Sequence, residues 1–242
     1  MVKTIALIQA RSGSKGIKDK NLMRIGGKML LGWSIEACKK SSCIDEVIIS
    51  TDSNEYAKHA LKAGGQVPFL RPKEISKDTS TDYECVKHFL DWLDENNKKT
   101  DLIAHIRPTT PFRDPEIINK AIKFFLSNKT NSTSLRSVHP MSESSYKTFE
   151  IGNQGNLICV GSKDSELDVS NNPRQGFPKT YIANGYIDIL ATKFIKNNNK
   201  IHGNNVLPFI TPITYEIDSL EDIELLEFQL NRNKAIFSKV FQ

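Results

Sequence analysis

The chain has 242 residues, a formal net charge of +5, 38% hydrophobic residues and 25% charged residues. These values exclude disordered and fibrous classes, and no apolar run approaches the ~20 residues that a membrane-spanning helix needs. The positive charge forms no dense basic run, which argues against nucleic-acid binding and for small anionic ligands.

In chain order, Thr4–Gln9 reads as a buried first strand rather than a leader peptide, because its short apolar stretch runs straight into a charged loop. Leu30–Lys40 reads as an amphipathic helix and Glu46–Ser50 as a strand. Asn54–Ala63 is a helix that Asp52 or Ser53 caps and Gly64-Gly65 ends. Gln66–Leu70 reads as a short strand, and Asp82–Asn96 as a helix with Val86, Phe89, Leu90 and Leu93 on one face. Leu102–Ile106 is a strand, and Asp114 before Pro115 opens a helix running to about Leu126. Ser132–Val138, Thr148–Ile151, Leu157–Val160 and Ile187–Leu190 read as strands between Asn- and Gly-rich turns. Thr214–Ile217 reads as a last strand and Ser219 to about Asn231 as a last helix. The alternation predicts an α/β fold, a mostly parallel mixed sheet with helices on both faces. One domain over residues 1–242 is expected, with an irregular β-rich insertion at about 130–182.

The strongest chemical signal follows the first strand. Arg11, Lys15, Lys18 and Lys20 bring four cations into ten residues, and Gly13 and Gly16 let the backbone approach a ligand closely. A triphosphate carries about as much opposite charge, and the planar fork of Arg11 suits phosphate oxygens. Neither the Walker A pattern nor the G-x-G-x-x-G fingerprint is present. Near the other end, Glu216 and Asp218 alternate across Ile217, so both carboxylates face one side of the predicted strand. Such a pair suits magnesium shared with phosphates; the alternative is that Asp218 and Glu221 cap the last helix. His59, His88, His105, His139 and His202 lack metal-ligand spacing, and no serine or cysteine sits beside a matched histidine as a nucleophile. Cys38, Cys43, Cys85 and Cys159 show no C-x-x-C pair and read as reduced thiols of a cytoplasmic protein.

Several segments, in order, resemble those of the acylneuraminate cytidylyltransferases, the CMP-sialic acid synthetases and their nonulosonic-acid relatives. They are Gln9–Asn21, Ser50-Thr51-Asp52, Phe69–Ile75 with Asp78-Thr79, Arg107–Arg113, Asn184-Gly185 and Glu216–Asp222. The resemblance implies a Rossmann-like nucleotide-diphospho-sugar transferase fold. It implies transfer of CMP from CTP to the anomeric hydroxyl of an acidic 2-keto sugar, with magnesium as cofactor and a homodimer as the working form. By resemblance the nucleotide is bound by Arg11, Ser12, Gly13, Ser14, Lys15, Lys20 and Asn21, then by Arg71, Ser80 and Thr81. The acidic sugar is assigned to Arg107, Thr109, Thr110 and Asn184, with Lys147 and Arg174 in the dimerisation arm. Asp218 and Glu216 are the metal ligands, and Arg11, Lys15 and Asp218 the catalytic residues. Asp82 stands where several relatives carry serine, and Tyr186-Ile187-Asp188 where relatives read alanine, isoleucine, tyrosine. An octulosonic-acid cytidylyltransferase and a catalytically inactive nucleotide-binding module are the alternatives.

Overall fold

The computed structural model describes residues 2–128, 130, 132–160 and 167–242. The elements are β1 (Thr4–Gln9), β2 (Arg24–Ile25), β3 (Lys28–Met29), α1 (Leu30–Lys39), β4 (Glu46–Ser50), α2 (Asn54–Lys62), α3 (Asp82–Glu95), β5 (Leu102–Ile106) and α4 (Pro115–Asn128). They continue with β6 (Ser134–Pro140), β7 (Phe149–Ile151), β8 (Leu157–Cys159), α5 (Leu167–Ser170), β9 (Tyr181–Ala191), α6 (Thr192–Asn198), β10 (Val206–Ile210), α7 (Leu220–Arg232) and α8 (Ala235–Phe241).

β1 is apolar along its length because both its faces are covered. Ala6 and Ile8 pack with Trp33 of α1, Ile118 of α4 and Leu226 of α7 on one face. Ile5 and Leu7 pack with Val86 and Phe89 of α3 and Ile195 of α6 on the other. The main sheet runs β10-β6-β9-β5-β1-β4, with β4, β1 and β5 mutually parallel, β10 parallel to β6, and β9 antiparallel between β5 and β6. The fold is therefore the expected α/β class, a mixed sheet with helices on both faces. No helix among the described residues is long and apolar enough to cross a membrane.

Two predicted strands are absent. In Gln66–Leu70 only Gln66 bridges to β4, through Ile48, and Pro68 has no N–H with which to continue the ladder. Thr214–Ile217 is extended but unpaired as a strand. Pro212 ends the ladder beyond β10, and the chain then crosses the strand ends, held by the Ile217 N–H donating to the Thr109 carbonyl at 2.9 Å. Conversely, the predicted strand Ile187–Leu190 is the second half of β9, which has 11 residues. β10 escaped prediction because of Pro208, which is tolerated here because β10 pairs only with β6 at the sheet edge.

β9 carries the irregularity that shapes the site. Arg136 stands opposite Asp188 while Val138 stands opposite Ala183, so residues 184–187 bow outward opposite Ser137 alone. Gly185 takes φ +63°, and a Cβ there would meet Thr110 Oγ1 at 3.0 Å. The Tyr186 N–H donates to Asn184 Oδ1 at 3.2 Å, and the Ile187 N–H donates to Ser137 Oγ at 2.9 Å.

Candidate active site

Ligand sites in open α/β sheets form at the carboxyl ends of strands. Here the loops leaving β1 and β5, Arg71 and the start of α3 meet the segment before α7 around a cavity of about 240 Å³. Of the sequence-predicted residues, Arg11, Ser14, Lys20, Asn21, Arg71, Arg107, Thr109 and Glu216 line it. Gln9, Asp82 and Pro108 complete the wall.

The loop after β1 is anchored from several sides. The Ser12 N–H and hydroxyl donate to the Asp52 carboxylate at 2.7 and 2.8 Å, so Ser12 ties the loop to the end of β4. Asn21 Nδ2 donates to the Arg11 carbonyl at 3.1 Å. Gly13 has φ +70° and open space around its Cα, whereas Gly16 packs so closely that a Cβ would lie 3.1 Å from the Asp218 carbonyl. Lys20 Nζ donates to the Ile217 carbonyl at 2.7 Å and to Asp218 Oδ1 at 3.0 Å. The first loop and the distant acidic segment are thus direct neighbours. Three of the loop's four cations, Arg11, Lys15 and Lys20, already have a carboxylate. Asp78 takes Arg11 at 2.6 Å and Lys15 at 2.8 Å, and those hydrogen bonds, that from Lys15 first, hold its carboxyl below the usual range.

Arg71 follows β4 in space, its N–H donating to the Thr51 carbonyl at 2.7 Å. Its side chain is buried, Nε donates to Ser76 Oγ at 3.0 Å, and Nη2 has no partner among the described residues. A buried donor without an acceptor beside a cavity is a place for a ligand oxygen or ring nitrogen. The Ser80 and Thr81 hydroxyls are engaged elsewhere. Ser80 Oγ accepts from the Lys77 N–H at 2.9 Å, and Thr81 forms a capping box with Glu84 at the start of α3. The next residue, Asp82, is the one that reaches the cavity.

On the acceptor side, Arg107 lies between two carboxylates: Nη2 pairs with Asp82, and Nη1 donates to Asp188 Oδ2 at 3.2 Å. Burial raises the Asp188 carboxyl, but His105, Arg107 and Arg136 together override it and bring its pKa down to about 2. Burial likewise opposes ionisation of Asp82, and His105 and Arg107 again prevail, leaving it lowered. Arg113, by contrast, is fully buried and braces the loop from within. It donates to the carbonyls of Tyr186 at 2.6 Å, Arg107 at 2.6 Å, Gly185 at 2.8 Å and Thr110, and to Ser34 Oγ at 3.1 Å. Burial pushes its pKa down to about 10, so it stays charged. Thr110 and Asn184 stand behind the wall. The Thr110 hydroxyl donates to the Asn184 carbonyl at 3.2 Å, and Asn184 Nδ2 donates to Thr211 Oγ1 at 2.6 Å. Both support the bend in β9 rather than line the cavity.

At the acidic end, Ile217 is fully buried while Glu216 and Asp218 are exposed, so the expected alternation holds without a strand. Glu216 Oε1 accepts from Thr109 Oγ1 at 2.8 Å. The cap of α7 is Ser219, in a capping box with Asp222, and not Asp218 with Glu221; the Asp218 side chain stays 77% exposed beside Lys20. Among the described residues, no three His, Cys, Asp or Glu side chains cluster as a ready metal cage. Lys147 and Arg174 are not brought to this cavity. Lys147 Nζ lies 5.8 Å from the Phe177 ring centre, and Arg174 donates to the Met141 carbonyl at 2.8 Å beside a separate cavity of about 600 Å³.

Residues 5–173 match the family described as cytidylyltransferase. Over 210 residues the chain is 32% identical to the CMP-N,N'-diacetyllegionaminic acid synthase of Legionella pneumophila subsp. pneumophila, covering 86% of this chain and 87% of that one. It is 31% identical to the post-translational flagellin modification protein B of Campylobacter coli, covering 100% of both. It is 33% identical to the pseudaminic acid cytidylyltransferase of Campylobacter jejuni over 53% of this chain and 56% of that one. The fold is similar to that of a CMP:2-keto-3-deoxy-manno-octonic acid synthetase complexed with CTP, with a TM-score of 0.70 at 13% identity, covering 95% of this chain and 99% of the other. With most of its length matched by the family and by a relative of similar size, the chain belongs to the cytidylyltransferase family.

Proposed function

We propose that this chain transfers CMP from CTP to the anomeric hydroxyl of an acidic 2-keto sugar of the nonulosonic class. The hydroxyl oxygen attacks the α-phosphorus, the bond to the β-phosphate breaks, pyrophosphate leaves, and the hydroxyl proton passes to solvent. One observation carries the reading: the cationic loop after β1, the arginine ending β5 and the carboxylate Glu216 line a single cavity.

Arg11, Lys15 and Lys20 neutralise the triphosphate, exchanging Asp78 and Asp218 for phosphate oxygens. The unpartnered Arg71 Nη2 supplies a further donor to the nucleotide. Arg107 anchors the acceptor's carboxylate, whose two oxygens suit a guanidinium fork. Alignment and charge stabilisation then supply the rate, with no covalent intermediate. Glu216 and the exposed Asp218 fit magnesium, which usually takes one or two carboxylates and draws its other oxygens from phosphate and water. When bound, magnesium offsets the charge that develops on the transferred phosphoryl group.

The reading includes a cytoplasmic homodimer that serves surface-glycan assembly. Exposed Phe149, Ile151 and Leu157 share one face of the β7–β8 pair, and with Tyr181 and Ile182 opening β9 they offer apolar side chains suited to a second copy. Lys147 and Arg174 belong to the same region and would serve the partner's acceptor site.

The test is pyrophosphate release from CTP, or from UTP, with magnesium and a panel of neuraminic, legionaminic, pseudaminic and octulosonic acids and glucose 1-phosphate. Release with CTP and a nonulosonic acid is expected. Arg11→Ala and Lys15→Ala should each lower kcat/KM at least ~100-fold with unchanged circular dichroism. Release only with the neutral sugar's phosphate would overturn the reading, and CTP binding without release would leave a binding module.

A further inference from the structure

Arg107 is bracketed by two carboxylates whose surroundings differ. Asp188 lies on β9 with His105 and Arg136 as its cross-strand neighbours, and its side chain is 2% exposed. Arg136 Nε, His105 Nδ1 and His202 Nε2 approach it at 3.8, 3.8 and 3.9 Å, so it is enclosed by positive or polar groups. It has nowhere to go. Asp82 is the first residue of α3, and its side chain is 40% exposed toward the cavity. Gln9 Nε2 donates to its other oxygen at 3.2 Å, and the helix N-terminus favours its charge wherever the side chain turns. It can leave Arg107 at little cost.

Both carboxylates are ionised, so the Arg107 charge is already matched before any acceptor arrives. A further anion entering this half-buried corner would be an uncompensated charge unless one carboxylate withdraws. We infer that Asp82 is an internal occupant of the acceptor-carboxylate position on Arg107, displaced by the acidic sugar, and that Asp188 is the positioning residue holding the guanidinium throughout. This rests on the proposed function, in which Arg107 anchors an acidic acceptor. It extends that reading to selectivity: a neutral sugar has nothing with which to displace Asp82.

The experiment measures kcat and KM for the best acidic acceptor, for its carboxyl methyl ester and for CTP, in wild type, Asp82→Asn and Asp188→Asn. Asp82→Asn should lower the KM of the free acid about three- to tenfold, the range of a partly exposed ion pair, without improving the ester. Asp188→Asn should raise the acid's KM at least about tenfold while the KM for CTP stays within about twofold. If Asp188→Asn does not fold, Arg107→Lys takes its place, since an ammonium cannot bridge both carboxylates; it should raise the acid's KM in the same way. An unchanged or higher acid KM in Asp82→Asn overturns the internal-occupant role. Equal rises for CTP and acid in the Asp188 or Arg107 variant reduce Asp188 to a structural residue. Wild-type inactivity with every acid would instead bring down the proposed function itself.

Discussion

Arg113 shows how one residue can shape a site without entering it. A fully buried guanidinium directed at four carbonyls and a hydroxyl joins the Arg107–Thr110 turn, the bend in β9 and Ser34 of α1. Lysine has three donors around a single point and cannot reproduce that fork. Arg113→Lys should therefore lower stability by roughly 3 kcal/mol, as breaking buried charged hydrogen bonds does, read as a shifted urea midpoint. An unshifted midpoint would remove the bracing role. The resemblance singled out Arg107 of the Arg107–Arg113 stretch for the acceptor, and Arg107 does line the cavity, but nothing local said that Arg113 braces the loop from within. Both arginines stand in the same rigid Pro-containing turn, and only the bend of β9 decides that Arg113 turns inward. Asp78 and Asp82 were missed as partners of Arg11 and Arg107 for a related reason: the pairs lie 67 and 25 residues apart and share no local pattern.

At the scale of elements, period and punctuation were informative where packing agreed with them. β1, β4 and β5 have buried, mainly apolar centres because they are covered on both faces, and α3 announces itself by its apolar stripe. Thr214–Ile217 misled because an extended, alternating segment with one buried residue looks the same whether it pairs in a sheet or crosses strand ends. The bend at Asn184-Gly185 was legible as a turn, yet its role in carrying Asp188 past Arg136 was not. Gly185→Ala tests that element: φ +63° and the approach of Thr110 Oγ1 both oppose a side chain. A loss of about 1–3 kcal/mol and reduced turnover are expected, followed by thermal melting and pyrophosphate release. Near-normal values in both would show that the bend tolerates other backbones.

For the whole molecule, the apolar surface on β7, β8 and the start of β9 predicts a dimer. Ile151, 77% exposed, and Leu157, 48% exposed, stand opposite each other on one face of the β7–β8 pair. Light scattering should give twice the chain mass for the wild type, and the double substitution Ile151→Asp and Leu157→Asp should give one chain mass and weaker acceptor turnover. A monomeric wild type with full activity would sink the dimer and the trans role of Lys147 and Arg174 together.

The sequence by itself determined the α/β class, the cationic loop after the first strand and the order in which the functional segments arrive, because these depend on neighbours within a dozen residues. The tertiary structure alone decided that Gly16 and Lys20 abut Asp218, that Arg107 is held between Asp82 and Asp188, and that Arg174 opens onto a different cavity. Charge pairing follows distance in space, and that distance is set by how a twisted sheet stacks strands that are far apart along the chain.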